Sequence, residues 1–219
     1  MSERELANRN GSLREMSVVG RDGKAAAAAA VGRVVDPSKI DLPAAERAAE
    51  DLLRAIGADV DAPDLVGTPR RVAASLAELL TPVEFSPTTF ANEGDYDELV
   101  LVRDIEFQSL CMHHLLPFIG QAHVAYLPGD RIIGLSKLAR VVETFARDLQ
   151  LQERMTVQIA DWLDRELSPR GVGVVLIAEH TCMTIRGVRK PGAKTVTSAL
   201  RGALRDDPRT RQELLSLAG

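Results

Sequence analysis

The chain has 219 residues, 45% hydrophobic and 26% charged, a composition that supports one folded domain and excludes a fibrous or low-complexity protein. Its formal net charge of −4 disfavours non-specific binding to nucleic acid or to an anionic membrane, and no apolar run approaches the roughly 20 residues that span a bilayer. The opening MSERELANRN carries both charge signs and no apolar stretch, so no secretory signal is read and a cytoplasmic location is expected.

Residues 1–38 read as a flexible, glycine-punctuated leader containing the alanine run Ala25–Ala30, and residues 39–219 as the folded domain. Asp41 is a predicted N-cap with Pro43 in the first turn. Ala45, Ala48, Ala49, Leu52, Leu53 and Ile56 then repeat at helical spacing until Gly57. A second helix is predicted with Thr68 as cap and Pro69 at its first position, running through Val72, Leu76, Leu79 and Leu80. After a long polar connection, Leu99–Leu110 and Ile119–Leu127 read as strands. Leu138, Val141, Val142, Phe145, Ala146 and Leu149 mark the stripe of a third helix, and a fourth is predicted from Gln152 to Leu167. Val172–Glu179 and Cys182–Val188 read as another strand pair, and Arg209–Leu217 as a short closing helix. Two strand pairs flanking two helices, preceded by N-terminal helices, make an α+β domain.

The chain has two cysteines and four histidines, and three of those histidines crowd the cysteines: Cys111-Met112-His113-His114 and His180-Thr181-Cys182. A cytosolic disulfide between such thiols is disfavoured. Cys-x-x-His spacing lets a thiolate and an imidazole grip one ion from a single turn, with Cys182 brought in by the fold as a third ligand. Soft thiolates with imidazole favour zinc over magnesium or calcium. Three protein ligands leave a fourth position for water, whose pKa can fall to about 7. His180 and Cys182, two apart in a predicted strand, share a face, so His180 is expected beside the metal. It and His113 are candidate proton carriers for hydrolysis. The alternative is a closed structural site with His113 or His180 as the fourth ligand, which a spacing of two at the second locus fits poorly. His123 lies alone in mid-strand and reads as a satisfied structural histidine.

No GxxxxGK[ST] or GxGxxG is present, so an anionic substrate needs scattered cations. Arg186 to Arg205 holds six basic residues and no acidic one, and Ser136-Lys137 opens a predicted helix with Arg140 one turn on.

The strings CMHHLLPF, HVAYLPGDRIIGLSKLARVVETFARDLQLQER, EHTCMTIRGVRKPG and KTVTSALRG resemble GTP cyclohydrolase I, the family that opens pterin and folate biosynthesis. The resemblance runs from about Asp41 to the C-terminus. It implies the tunnelling fold, in which subunits assemble into an oligomeric β-barrel, usually a toroidal decamer with active sites at subunit interfaces. It implies conversion of GTP and water to 7,8-dihydroneopterin triphosphate and formate. By resemblance Cys111, His114 and Cys182 are zinc ligands, His113 and His180 are catalytic, and Glu153 with Gln152 binds guanine. Triphosphate contacts carry over to Arg71, Ser136, Lys137, Arg140 and Arg186. A paralogue acting on a modified purine triphosphate, or a non-catalytic zinc-stabilised regulator, are the alternatives. One departure is visible: the family usually has glutamate after the first cysteine, and this chain has Met112.

Overall fold

A five-stranded sheet organises the protein, which is described by a computed structural model over residues 32–219. Its strands are β2 (Val100–Cys111), β3 (Pro117–Leu127), β5 (Leu149–Gln150), β6 (Gly171–His180) and β7 (Lys194–Gly202), in the order β5-β2-β3-β6-β7. All neighbours are antiparallel except β5, which runs parallel to β2. Two short strands, β1 (Thr89–Ala91) and β4 (Arg131–Ile133), pair separately.

Strand alternation decides what each face of the sheet meets. Phe107, Phe118, Ala122, Val124, Tyr126, Val172, Val174 and Leu176 pack against two helices, α3 (Leu135–Ala146) and α4 (Gln152–Leu167). The helices contribute Leu138, Val141, Val142, Phe145, Met155, Ile159, Trp162 and Leu163, the stripe expected from their 3.6-residue period. Leucine, valine, isoleucine and alanine supply most of this core because aromatics are scarce. Across the sheet, Ala125, Leu127 and Leu200 meet Leu204 and Leu214 from α6 (Ala203–Asp206) and α7 (Pro208–Ala218). Gly173 permits this, since a Cβ there would stand 2.3 Å from Leu214 Cδ2. The remainder of that face is open, with Ile119 and Val196 exposed.

The N-terminal helices α1 (Leu42–Ala55) and α2 (Thr68–Leu80) pack on each other. Asp41 caps α1 by accepting from Ala44 N at 3.0 Å, and Gly57 closes it at φ +89°. The cap of α2 is Gly67, not Thr68, whose hydroxyl instead accepts from Arg71. Ser136 likewise sits inside α3, whose N-cap is Gly134.

The largest departure from expectation is at Cys182–Val188. The strand β6 ends at His180, and Thr181–Thr184 forms a helical turn, α5. Thr181 Oγ1 donates to Pro117 O at 2.6 Å, Ile185 N bonds back to Thr181 O, and Gly187 and Arg189 take positive φ. A long-range side-chain bond together with a local backbone turn therefore overrides the alternation of Cys182–Val188, and the edge strand forms later, at Lys194–Gly202. The same-face argument for His180 and Cys182 fails as a result. Residues 1–31 of the expected leader lie outside the described residues. Arg33, Val34 and Val35 are held by hydrogen bonds to the folded body, ahead of the expected boundary at residue 38.

Candidate active site and metal centre

Three chain segments meet at one end of the sheet. The β2–β3 turn brings Cys111, His113 and His114. The end of β6 brings His180 and, through α5, Cys182. The β5–α4 junction brings Gln150, Gln152 and Glu153. Together they line a cavity of about 230 Å³. Register explains the meeting: β3 lies between β2 and β6, with Phe118 opposite both Ser109 and His180, while Cys111 pairs with Gln150.

The turn after Cys111 folds tightly. His114 N and Leu115 N both donate to Cys111 O, and Leu115 takes φ +55°. This returns His114 over the cysteine, with Nδ1 at 3.9 Å from Cys111 Sγ. One ligand atom each from Cys111, His114 and Cys182 lie within 4.8 Å of one another. A tetrahedral zinc with Zn–S of ~2.3 Å and Zn–N of ~2.0 Å sets its ligand atoms roughly 3.5–3.8 Å apart, so the cluster needs only a small contraction. Burial pushes the Cys182 thiol's pKa up, the adjacent Cys111 adds to this, and Arg186 acts against it. A cation held beside the Cys182 sulfur would oppose that shift and favour the thiolate. Both cysteines are free, and this donor set fits zinc.

The two remaining histidines differ. The His113 ring stands at 87° to that of His114, 6.2 Å away, and is exposed. His180 is half-buried, stacked on Phe118 at 4.6 Å and 3°, and its Nε2 lies 2.8 Å from Gln152 Oε1. Gln152 is 1% exposed, and its Nε2 donates among Leu176 O, Thr195 O and Thr197 Oγ1. Carbonyls accept only, so the amide orientation is determined and Oε1 must accept from His180 Nε2–H. Nδ1 is then the proton-accepting nitrogen of the neutral ring. Burial lowers the His180 pKa, partly opposed by the Glu153 charge, so the neutral ring is favoured.

Gln152, expected to contact substrate, thus has both polar ends engaged within the chain. Glu153, one residue on, is exposed at the cavity. Arg71, Ser136, Lys137, Arg140 and Arg186 are not among the cavity-lining residues. Arg186 is near enough to act on the Cys182 thiol. Ser136 and Lys137 occupy the first turn of α3, whose 12 residues place its two ends about 18 Å apart at 1.5 Å per residue. Only the C-terminal end of α3 leads into β5 and the cavity. His123 is buried with Nδ1 accepting from Asp104 N, a structural role. Sequence reasoning missed Phe118 and Gln150, although both lie inside the strings CMHHLLPF and LQLQER that it singled out.

The GTP cyclohydrolase I family profile matches residues 45–219. The chain belongs to the GTP cyclohydrolase I family. A GTP cyclohydrolase 1 of Thermobifida fusca is 54% identical over 186 residues, 83% of this chain and 90% of the relative. Those of Rhodopirellula baltica and Aquifex aeolicus are 50% and 51% identical, over 82% and 81% of this chain and 80% and 97% of their own lengths. An archaeosine synthase QueF-like chain overlaps 48% of this chain, and 93% of its own, at 16% identity with a TM-score of 0.40, too low to bear on function. Among the described residues no helix is long and apolar enough to cross a membrane.

Proposed function

We propose that this chain hydrolyses and rearranges GTP to 7,8-dihydroneopterin triphosphate with release of formate, the first step of pterin and folate biosynthesis. The observation that carries the reading is the convergence of Cys111, His114 and Cys182 within 4.8 Å, in a cavity that also holds His113, His180 and Glu153. Family members are zinc-dependent, and the ligands would be those three residues. Bound zinc supplies a Lewis acid that lowers the pKa of a water toward about 7 for attack on C8 of the purine.

The chain's own groups do the rest. Glu153 accepts from guanine N1–H and the 2-amino group together, which orients C8. His180, held as the Nε2–H tautomer by Gln152, takes and returns protons at Nδ1. His113 is the second proton carrier for ring opening, ribose rearrangement and closure. Arg71, Ser136, Lys137, Arg140 and Arg186 bind the triphosphate. Arg186 lies near Cys182 in the same chain. Since the cavity of one chain lacks Arg71, Ser136, Lys137 and Arg140, the reading requires those four from neighbouring copies, in the family's toroidal decamer with its tunnelling-fold barrel. The exposed apolar side chains of the helical pair, Leu52, Ile56 and Val66, are compatible with burial in such an assembly. Residues 39–219 form the catalytic unit, and the enzyme works in the cytoplasm.

The test is incubation of zinc-loaded protein with GTP, following formate and the fluorescence of the oxidised pterin. Both signals are expected, and both disappear with a chelator or with Cys182→Ser. Folded, zinc-bound protein that yields neither signal from GTP overturns the reading; turnover of another purine triphosphate alone redirects it to that substrate.

A further inference from the structure

Residues 32–35 lie ahead of the matched family region and across the junction between α3 and β5. Asp148, at that junction, is 1% exposed. Its Oδ2 accepts from Val34 N at 2.8 Å, and its Oδ1 accepts from Val35 N and Leu149 N, both at 2.9 Å. A buried carboxylate is tolerated only when its lone pairs are satisfied, and two of these three donors come from the N-terminal segment. Arg33 completes the attachment. Its guanidinium donates to Leu80 O at the end of α2 and to Thr144 O and Arg147 O at the end of α3. These are helix C-terminal carbonyls, which need donors from outside their own helices. Gly32 O accepts from Gln158, which in turn accepts from Gln150.

The attachment leads directly to the metal end of the sheet. Leu149 and Gln150 are β5, paired with Leu110 and Cys111, and Met112 N donates to Gln150 O at 3.0 Å. Ser109 Oγ donates to Asp148 O. Gln152 and Glu153 follow β5 immediately. No residue of 32–35 lines the cavity, so any influence on it passes through the α3–β5 junction, by Asp148 and by the Gln158–Gln150 bond.

We infer that Asp148 is a positioning residue: it clamps the segment 32–35 onto the α3–β5 junction, and this strap holds Cys111 and Glu153 in their working geometry. The inference rests on reading Cys111, His114 and Cys182 as the zinc centre, and its decisive readout is metal affinity rather than turnover.

In the full-length chain, Asp148→Asn replaces one acceptor oxygen by a donor facing backbone N–H groups, and Arg33→Ala releases the strap while leaving the carboxylate intact. Leu214→Ala is the control, because it cuts into the separate core beneath α7 and lowers Tm without touching the strap. Zinc affinity is measured by competition with a chromophoric chelator in the absence of GTP. Both strap variants are expected to bind zinc roughly ten- to a hundredfold more weakly, the range for groups that orient metal ligands, and to raise KM for GTP more than they lower kcat. Leu214→Ala, at equal or greater loss of Tm, is expected to keep the parent affinity. Parent-like affinity in both strap variants, or losses no larger than that of Leu214→Ala, overturns the inference. A parent chain that binds zinc but converts no GTP defeats the proposed function alone, and the affinities still decide the strap. A parent chain that binds no zinc overturns both.

Discussion

The metal end of the sheet and the first turn of α3 are both made of residues assigned to one active site, yet a single chain treats them oppositely. Cys111, His114, Cys182, His180 and Gln152 are assembled by register, turns and buried hydrogen bonds within the subunit. Ser136 and Lys137 lie in the first turn of α3, at the end away from the cavity, with Arg140 one turn on, and Arg71 donates to Thr68. The difference follows from what each half must do. A metal centre and a proton carrier need sub-ångström preorganisation, which a buried core supplies. Cations for a triphosphate must remain solvated until an anion arrives, and an interface can supply them without the cost of burying them in one fold.

Mixing experiments can break that contrast. Cys182→Ser is expected to lose zinc and activity, and Lys137→Ala to raise the GTP KM roughly ten- to a hundredfold, as for loss of a charge-assisted contact worth about 1.5–3 kcal/mol. When the two variants are unfolded and refolded together, activity well above the sum of the separate preparations is expected. No recovery, with mixed oligomers demonstrated, would mean that both halves of each site come from one chain.

The intrachain half is sharpened by Gln152→Ala. With the amide gone, His180 loses the partner that selects its tautomer. A fall of roughly 10- to 100-fold in kcat is expected, less than the ~100- to 10,000-fold that a positioned acid–base group contributes, because the imidazole itself remains. Zinc content should be retained, and steady-state kinetics with metal analysis checks both.

His123 is the counter-example away from the cavity. Burial pushes its pKa down, partly opposed by Asp104, so the folded protein holds the ring neutral below its unfolded value near about 6.5. The unfolded chain then binds more protons. Stability is complete above that value and is lost as pH falls toward the folded pKa, by at most about 1.4 kcal/mol per pH unit. His123→Gln should flatten this acid limb, seen in denaturant midpoints at pH values on either side of about 6.5, while leaving kcat unchanged. The smallest effect is expected from Met112→Glu, which restores the residue usual in the family. The same products should form, with rates within about tenfold, because a surface carboxylate near a cationic site contributes roughly 1 kcal/mol.

The helices were legible because their signals are local. Asp41, Pro43 and Gly57 bound α1, and the stripe from Leu138 to Ala146 predicts the face of α3 that is buried. The central strands were legible for the same reason. The stretch after His180 was not, because the Thr181 hydroxyl donates its hydrogen bond to Pro117 O, 64 residues away, and no window around Cys182 contains that partner. The convergence of Cys111, His114 and Cys182 could be read despite this error, since clustering of scarce cysteines and histidines does not depend on secondary structure. The helix expected to open at Ser136 begins at Leu135, because a backbone turn at Gly134 opens it first.

By itself the sequence determined the ligand types, the α+β order of elements and the family, since residue chemistry, periodicity and long matching strings are all properties of the chain alone. Only the tertiary structure decided that Gln152 serves His180, that Asp148 ties residues 33–35 to the α3–β5 junction, and that Ser136 and Lys137 stand at the far end of α3. Those facts depend on which backbone groups and side chains meet after folding, and hydrogen bonds between residues far apart in sequence leave no local pattern to read.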